Sequence, residues 1–283
     1  MPDKIVFLLL LVISLLATVL YFSFYQEEQV NKKVLEDTSI EVPDVEPVIA
    51  QAAKIIVKED ETHNIPVPDF SSYKDVVKKK KAFFAYLLPE IKTQNNLVRA
   101  EREQVLAIHE RVSQGHELQG AEQDYLDELR LKYRVAEDLS NKDASAELIK
   151  RVDIIPAELI LVQAANESGW GTSRFAQKGY NFFGLWCFTK DCGFVPKRRN
   201  KGTVHEVAKF RDLSQAIKTY LHNLNRHYAY EPLREIRYQQ RQANQPITAK
   251  AMVQGLKSYS ERGTEYIDEL LSMMRVNKKH MGL

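Results

Sequence analysis

The spacing of apolar and polar positions divides the chain into four parts, residues 1–25, 26–72, 73–143 and 144–283. The first part contains the apolar run Ile5–Tyr25, about 21 residues, which at roughly 1.5 Å per residue spans a hydrocarbon core of about 30 Å. The second part is acidic and interrupted by prolines, and it predicts an extended spacer. Helical spacing begins at Tyr73, and denser turn signals from Ala144 onward predict a separate domain.

The apolar N-terminus predicts a retained transmembrane signal-anchor, with a cleaved signal peptide as the alternative. The apolar core of a signal peptide is usually about 7–15 residues long, which is shorter than this run. No small-x-small cleavage pattern precedes the polar sequence QEEQ. Few basic residues flank the run, so they do not fix its orientation in a membrane.

The last part of the chain reads as several helices and one hairpin. Pro156 suits the first turn of an apolar helix, and Gly169 follows where a left-handed C-terminal cap is expected. Asp212, Thr248 and Thr264 are predicted N-caps of three more helices. The segment GFVPKRRNKGTVHEVAKF has strand-like ends around a basic turn and predicts a β-hairpin. The predicted fold class is therefore α+β, mainly helical, with a small β-hairpin lobe.

Composition narrows the function classes only slightly. The 283 residues are 44% hydrophobic and 28% charged, and the formal net charge of +2 gives little reason to expect nucleic-acid binding. The seven histidines show no metal-ligand spacing, so neither a metal nor a cofactor is predicted. The run Lys78–Lys81 predicts a solvated helix face, with contact to anionic lipid or an acidic polymer as the alternative.

The chain has two cysteines, Cys187 and Cys192, five positions apart. They are candidates for a local disulfide if this segment lies outside the cytoplasm, and two free thiols are the alternative.

The apolar helix ends on an acidic residue, Glu167, which is followed directly by Ser168, Gly169 and Trp170. Low-dielectric surroundings and the negative end of the helix dipole both disfavour the carboxylate, so a raised pKa is predicted. A general acid for glycosidic cleavage needs a carboxyl group that keeps its proton near neutral pH, and Trp170 could help to exclude water. The alternative is an ordinary glutamate that faces solvent or pairs with Arg174.

The sequence QAANESGWGTSRFA…YNFFGLW resembles the signature of the glucosaminidase-domain family of peptidoglycan hydrolases, glycoside hydrolase family seventy-three. The whole chain resembles the Bax-type proteins that carry this domain. The resemblance implies a lysozyme-like fold, Glu167 as the catalytic acid, and Asn181, Phe182 and Gly184 as residues lining the substrate cleft. It also implies a single-pass protein of the bacterial inner membrane with its catalytic domain in the periplasm.

A second carboxylate is predicted on the hairpin. Period-2 alternation places Glu206 on an otherwise apolar strand face, and it resembles the hairpin-lobe glutamate thought to assist some family members. The alternative for Glu206 is a cross-strand pair with the basic turn. Asp191 and Glu261 are weaker candidates.

The segment SYSERGTEYIDEL resembles the closing tyrosine motif of the family, with one extra residue between its tyrosines. The resemblance assigns Tyr259 to the cleft, where it could support developing positive charge, whereas Tyr266 is expected in the core. Trp170, Tyr180 and Trp186 could stack on sugar rings, with core packing as the alternative for each.

The predicted function is an endo-β-N-acetylglucosaminidase that cuts the β-1,4 bond after N-acetylglucosamine in peptidoglycan glycan strands. The membrane is the second expected partner, through the N-terminal helix. The alternatives are a lytic transglycosylase of the same fold, a non-catalytic peptidoglycan-binding scaffold and, with less support, an amidase.

Overall fold

The computed structural model describes residues 65–196 and 205–283, which belong to one compact unit. The predicted anchor, most of the predicted spacer and the basic turn of the hairpin lie outside the described residues. Within residues 65–196 and 205–283, no helix combines the length and the apolar character needed to cross a membrane. The α-helices are α1 (Val76–Ser113), α2 (Ala121–Tyr133), α3 (Asn141–Arg151), α4 (Ala157–Ser168), α5 (Arg174–Gly179), α6 (Leu213–Arg226), α7 (Glu231–Gln242), α8 (Ala249–Met252) and α9 (Thr264–Asn277); the strands are β1 (Trp186–Cys187), β2 (Gly193–Phe194) and β3 (Glu206–Ala208).

The apolar helix predicted after Pro156 is α4, and it lies at the centre of the larger apolar cluster. Residues 159–165 of α4 are all buried, which explains why this helix is apolar nearly all round. Pro156 is its N-cap residue and Gly169 its C-cap residue, with φ of +58°. The mainly helical character and the predicted C-terminal cap at Gly169 are confirmed, whereas Pro156, predicted in the first turn, precedes the first helical residue.

Helix α1 joins two apolar clusters. Its first half packs against α4, whereas its second half packs with α2 and α3. A proline inside a helix usually breaks or kinks it, but α1 continues through Pro89. Burial of Phe83 and Leu87 before the proline and of Ile91 after it offsets the missing backbone hydrogen bond. The domain boundary predicted between residues 143 and 144 falls inside α3.

The end of the predicted spacer is also part of the folded body. Phe70–Ser72 form a 3-10 helix, and the Phe70 side chain is fully buried against Phe83 and Tyr86, with ring centroids 5.3 and 6.0 Å away. The extended spacer predicted through residue 72 is therefore wrong for its last residues, because the buried Phe70 ring and a hydrogen bond from Gln177 to the Pro68 carbonyl tie them to the core.

Helix α1 contacts both ends of α4. At the start of α4, the Asn95 amide donates to the Ile155 carbonyl at 2.8 Å, and its oxygen accepts from the Ile155 N–H at 3.2 Å. Just beyond the end of α4, Phe83 and Phe84 contact the Trp170 ring edge-on at centroid distances of 5.7 and 5.3 Å. The segment before residue 144 therefore fixes the helix that carries Glu167.

The sheet has the order β1-β3-β2, with both pairs antiparallel. Strands β2 and β3 confirm the predicted hairpin, whereas β1 was not predicted. A Cβ atom at Gly193 would lie 2.0 Å from the Val207 carbonyl oxygen, so the close approach of β2 to β3 requires glycine there.

Two of the three predicted N-caps are confirmed. Asp212 accepts the Gln215 N–H at 2.8 Å, and Thr248 accepts the Ala251 N–H at 3.3 Å. Thr264 is instead the first residue of α9, and Gly263 occupies the N-cap position with φ of +54°. A glycine is favoured in this left-handed conformation, which displaces the cap by one residue.

Candidate active site

The chain turns sharply after α4. Gly169, Trp170 and Gly171 have consecutive φ values of +58°, +60° and +75°. The Trp170 N–H donates to the Ala165 carbonyl at 2.8 Å, and the Gly171 N–H donates to the Ser168 hydroxyl at 2.8 Å. A left-handed tryptophan is unfavourable by itself, so these bonds and the contacts of its ring hold the turn.

Glu167 lies on the last turn of α4 and is partly buried. Burial is the main influence on the pKa of its carboxyl group and raises it above the usual value. A hydrogen bond from Tyr266 and the positive charge of Arg262 lower this pKa, whereas the negative charge of Glu269 raises it. The predicted direction of the pKa shift is confirmed. Arg174, the predicted alternative partner, directs its guanidinium to the Val195 carbonyl at 3.5 Å.

The space in front of Glu167 is bordered by a glycine. Gly184 is exposed, with φ of +66°, and a Cβ atom placed on it would lie 3.7 Å from Glu167 Oε2. A larger side chain at this position would occupy the space beside the carboxyl group. Gly184 therefore leaves the space beside this carboxyl group unfilled, and its predicted place in the substrate cleft stays a prediction.

Asn181 and Phe182, the other two residues of the predicted cleft segment, are buried beneath the turn that contains Gly184. Asn181 is 1% exposed, and its amide donates to the Leu185 and Ala208 carbonyls, both at 2.9 Å. Phe182 is fully buried, with its ring 6.1 Å from that of Phe83. Neither side chain offers a surface to a sugar, so their assignment as substrate-binding residues is corrected: they hold the turn that presents Gly184.

Four tyrosines surround Glu167, and its charge raises the pKa of each one. Burial is the main cause of these raised pKa values, so the phenols stay protonated and can act as hydrogen-bond donors near neutral pH. The ring centroids of Tyr259 and Tyr266 lie 5.7 Å apart, and those of Tyr259 and Tyr230 lie 5.8 Å apart. The fourth, Tyr220, stacks on Phe183 at 4.0 Å.

Tyr259 is partly buried, and its hydroxyl donates to the Phe183 carbonyl at 2.9 Å. This bond ties the tyrosine to the turn that also contains Gly184. Because the phenolic proton points at the carbonyl, the lone pairs of the oxygen remain free to face a developing positive charge. The predicted role of Tyr259 is compatible with this geometry and stays a prediction.

The other aromatic candidates divide between core and surface. The Trp170 ring contacts Phe83 and Phe84, and Lys80 Nζ lies 4.8 Å above it, so one side of the ring packs on α1. Tyr180 is partly buried at the C-cap of α5, with φ of +52°. Trp186 is 49% exposed, and the ring of His205 meets it edge-on at 4.9 Å.

The hairpin lobe is closed by a disulfide between Cys187 and Cys192. Glu206 is 3% exposed beneath this loop and accepts the N–H of Asp191 at 3.3 Å and that of Gly193 at 2.8 Å. Both oxygens of the carboxylate therefore hold the disulfide loop. The predicted catalytic role of Glu206 would require one of these hydrogen bonds to open.

Within the described ranges, one grouping of residues has metal-ligand types close together, namely Cys187, Cys192 and Glu206. Its sulfur atoms are joined in the disulfide, so they are not thiolate ligands. This grouping therefore does not form a metal site in the oxidised protein.

Comparison with known proteins places the sequence of this chain in a family. The glucosaminidase family, described as mannosyl-glycoprotein endo-beta-N-acetylglucosaminidase, matches residues 142–279. Protein bax of Escherichia coli strain K12 is 35% identical over 214 residues, which cover 75% of this chain and 75% of that protein. The chain is a Bax-type protein with a glucosaminidase domain. No solved structure matches it.

As a Bax-type protein, the chain has a domain of the glycosidase type. The matched range contains Glu167, Gly184, Glu206 and all four tyrosines of the site, but it begins after α1 and α2. The helix on which the Trp170 ring rests therefore lies outside the glucosaminidase match.

Sequence reasoning missed the place of Tyr266 in this Bax-type site. Tyr266 is 1% exposed, as expected of a core residue, yet its hydroxyl forms a hydrogen bond with Glu167. Periodicity marks the buried face of α9 but does not show where a hydroxyl on that face ends. The closing tyrosine motif was the available signal.

Proposed function

We propose that this chain is a peptidoglycan glycosidase that cleaves the β-1,4 bond after N-acetylglucosamine, with Glu167 as the proton donor. The observation that carries the proposal is a carboxyl group with a raised pKa at the end of a buried helix, opposite the exposed Gly184. A protonated carboxyl there can transfer its proton to the glycosidic oxygen as the bond to the anomeric carbon breaks. The resemblance to the glucosaminidase family supports the choice of sugar.

In the second half of the reaction, a nucleophile must form a bond to the anomeric carbon after the leaving group departs. Glu206 could activate water if its hydrogen bonds to the Asp191 and Gly193 amides open. Otherwise the acetamido oxygen of the substrate attacks the anomeric carbon, and water then opens the resulting ring. Because both oxygens of Glu206 already accept backbone N–H groups, the position of Glu206 favours the route through the acetamido group.

The same position of Glu206 favours one further candidate, a lytic transglycosylase. Such an enzyme uses a single acid and forms a 1,6-anhydro sugar, because a hydroxyl of the substrate replaces water as the nucleophile. Glu167 alone would serve this reaction.

The disulfide supports placing the domain in the periplasm, because disulfides persist in oxidising compartments. In this proposal Ile5–Tyr25 anchors the chain in the bacterial inner membrane with the N-terminus in the cytoplasm. The acidic segment that follows would then let the domain reach the wall.

Digestion of purified peptidoglycan by the full-length chain and by its Glu167→Gln variant tests the proposal. We expect chromatography and mass spectrometry to find fragments that end in reducing N-acetylglucosamine, and the variant to lose this activity by about 10²–10⁴-fold. Products with 1,6-anhydro ends would identify the transglycosylase, and free stem peptides the amidase. Unchanged peptidoglycan that still binds the protein would identify a scaffold.

A further inference from the structure

Three polar side chains lie in the apolar core beneath Glu167. Gln163, Tyr220 and Tyr266 are each at most 1% exposed, and Gln163 lies one helical turn before Glu167 on α4. Polar groups in such surroundings are costly unless their hydrogen bonds are satisfied. Hydrogen bonds join the three side chains to one another, and Tyr266 in turn lowers the pKa of Glu167.

Each of these hydrogen bonds has a defined direction. The Tyr220 hydroxyl donates to Gln163 Oε1, and Gln163 Nε2 donates to the Tyr266 oxygen at 3.0 Å. A tyrosine hydroxyl carries one proton. Since the Tyr266 oxygen already accepts from the amide, its own proton is left for the hydrogen bond with Glu167.

The orientation of the Gln163 amide decides where the Tyr266 proton goes. If the amide rotated by half a turn, it would present Oε1 to Tyr266 and could accept that proton in place of Glu167. The same rotation would remove the acceptor that the Tyr220 hydroxyl now has. Because the Tyr220 ring is fixed by stacking on Phe183 at 4.0 Å, its hydroxyl holds the amide in the observed orientation.

We propose that Gln163 and Tyr220 are positioning residues that direct the Tyr266 hydroxyl proton onto the Glu167 carboxyl group. The inference rests on the proposed role of Glu167 as the acid. A donor to the carboxylate stabilises the anion, so Tyr266 offsets part of the effect of burial on the Glu167 pKa. Gln163 and Tyr220, which are fully buried, thereby contribute to the pH at which the acid loses its proton, alongside burial and the charges of Arg262 and Glu269.

A double-mutant cycle with two Tyr→Phe changes tests the direction of these hydrogen bonds, because each change removes one hydroxyl and keeps the ring. The readout is the titration of the Glu167 carboxyl carbon by NMR in the full-length chain, assigned with Glu167→Gln. We expect Tyr266→Phe and Tyr220→Phe each to shift the titration midpoint to higher pH. In the Tyr266→Phe background, we expect Tyr220→Phe to cause no further shift.

An equal shift from Tyr220→Phe in both backgrounds, or no shift in either, would overturn the proposal, since Tyr220 would then act on packing alone. Should Tyr220→Phe fail to fold, Gln163→Met tests the same direction with the opposite expectation. It keeps the side-chain length and removes the amide oxygen that could compete for the Tyr266 proton, so the midpoint should not rise. A rise would overturn the proposal. The titration needs no turnover, so a protein that shows the expected cycle but cuts no glycan would refute the proposed function separately.

Discussion

Glu167 is subject to two opposing influences. Burial favours the neutral carboxylic acid, and the hydrogen bond from Tyr266 together with the charge of Arg262 favours the carboxylate. Burial is the larger influence, so the folded protein holds the proton more tightly than the unfolded chain does. A group with a raised pKa of this kind lowers stability once pH exceeds the range in which the unfolded chain ionises.

We therefore expect Glu167→Gln to raise the unfolding temperature near neutral pH. The neutral amide avoids the cost of ionising a partly buried carboxyl group, and this cost is absent at about pH 3, where both the folded and the unfolded glutamate are protonated. The gain should therefore shrink as pH falls towards that value. Thermal unfolding across this range, with the exposed Glu261→Gln as the control, measures it. A gain that is equal at every pH would contradict the argument.

Tyr259 provides the second prediction at this scale. Its hydroxyl donates to the Phe183 carbonyl, and its predicted role is to face the positive charge that develops on the reacting sugar. We expect Tyr259→Phe to lower kcat roughly tenfold, about 1.4 kcal/mol of transition-state stabilisation, with little change in KM. Steady-state kinetics on peptidoglycan measure this change. The matched control is Tyr230→Phe, which removes the hydroxyl of the neighbouring tyrosine and keeps its ring. Equal losses in both variants would indicate packing instead of a specific role for the Tyr259 oxygen.

At the scale of elements, the hairpin lobe depends on Glu206. The side chain lies under the disulfide loop and accepts the Asp191 and Gly193 N–H groups. A glutamine keeps one acceptor oxygen, so we expect Glu206→Gln to lower activity less than tenfold, whereas loss of a catalytic base typically costs 10²–10⁴-fold. Rates on peptidoglycan beside those of Glu167→Gln decide between the two roles. A loss as large as that of Glu167→Gln would make Glu206 the second catalytic group.

The sequence predicted those elements whose signals are local. The ends of α4 followed from Pro156 and Gly169, and the cap of α6 followed from Asp212, because each signal lies within one turn of the element that it ends. Strand β1 has two residues and pairs with β3 about twenty positions later, so no periodicity marks it. The Glu206 contacts were missed for the same reason, since alternation assigns a side chain to a face but not to a partner.

At the scale of the whole molecule, α1 and the segment before it complete the glucosaminidase domain. The family match begins at residue 142, yet Asn95, Phe83 and Phe84 contact the two ends of the helix that carries Glu167. The sequence predicted a boundary at residue 144 because turn signals become dense there. The long-range contacts of α1 across that boundary have no signature in a single sequence.

These contacts predict how truncated proteins should behave. A fragment that starts at residue 65 keeps Phe70, which packs so closely that a Cβ atom at Gly171 would lie 2.4 Å from its ring. A start at residue 73 removes that anchor, and burial lost from a core phenylalanine costs about 3–5 kcal/mol, a large share of the roughly 5–15 kcal/mol that stabilises a domain. We therefore expect the fragment from residue 73 to unfold at a lower denaturant concentration than the fragment from residue 65.

A fragment from residue 144 would expose the faces of α4 and α6 that α1 covers, and we expect it not to fold. Equilibrium unfolding of the three fragments measures the order, and a cooperative, active fragment from residue 144 would show that the domain does not need α1.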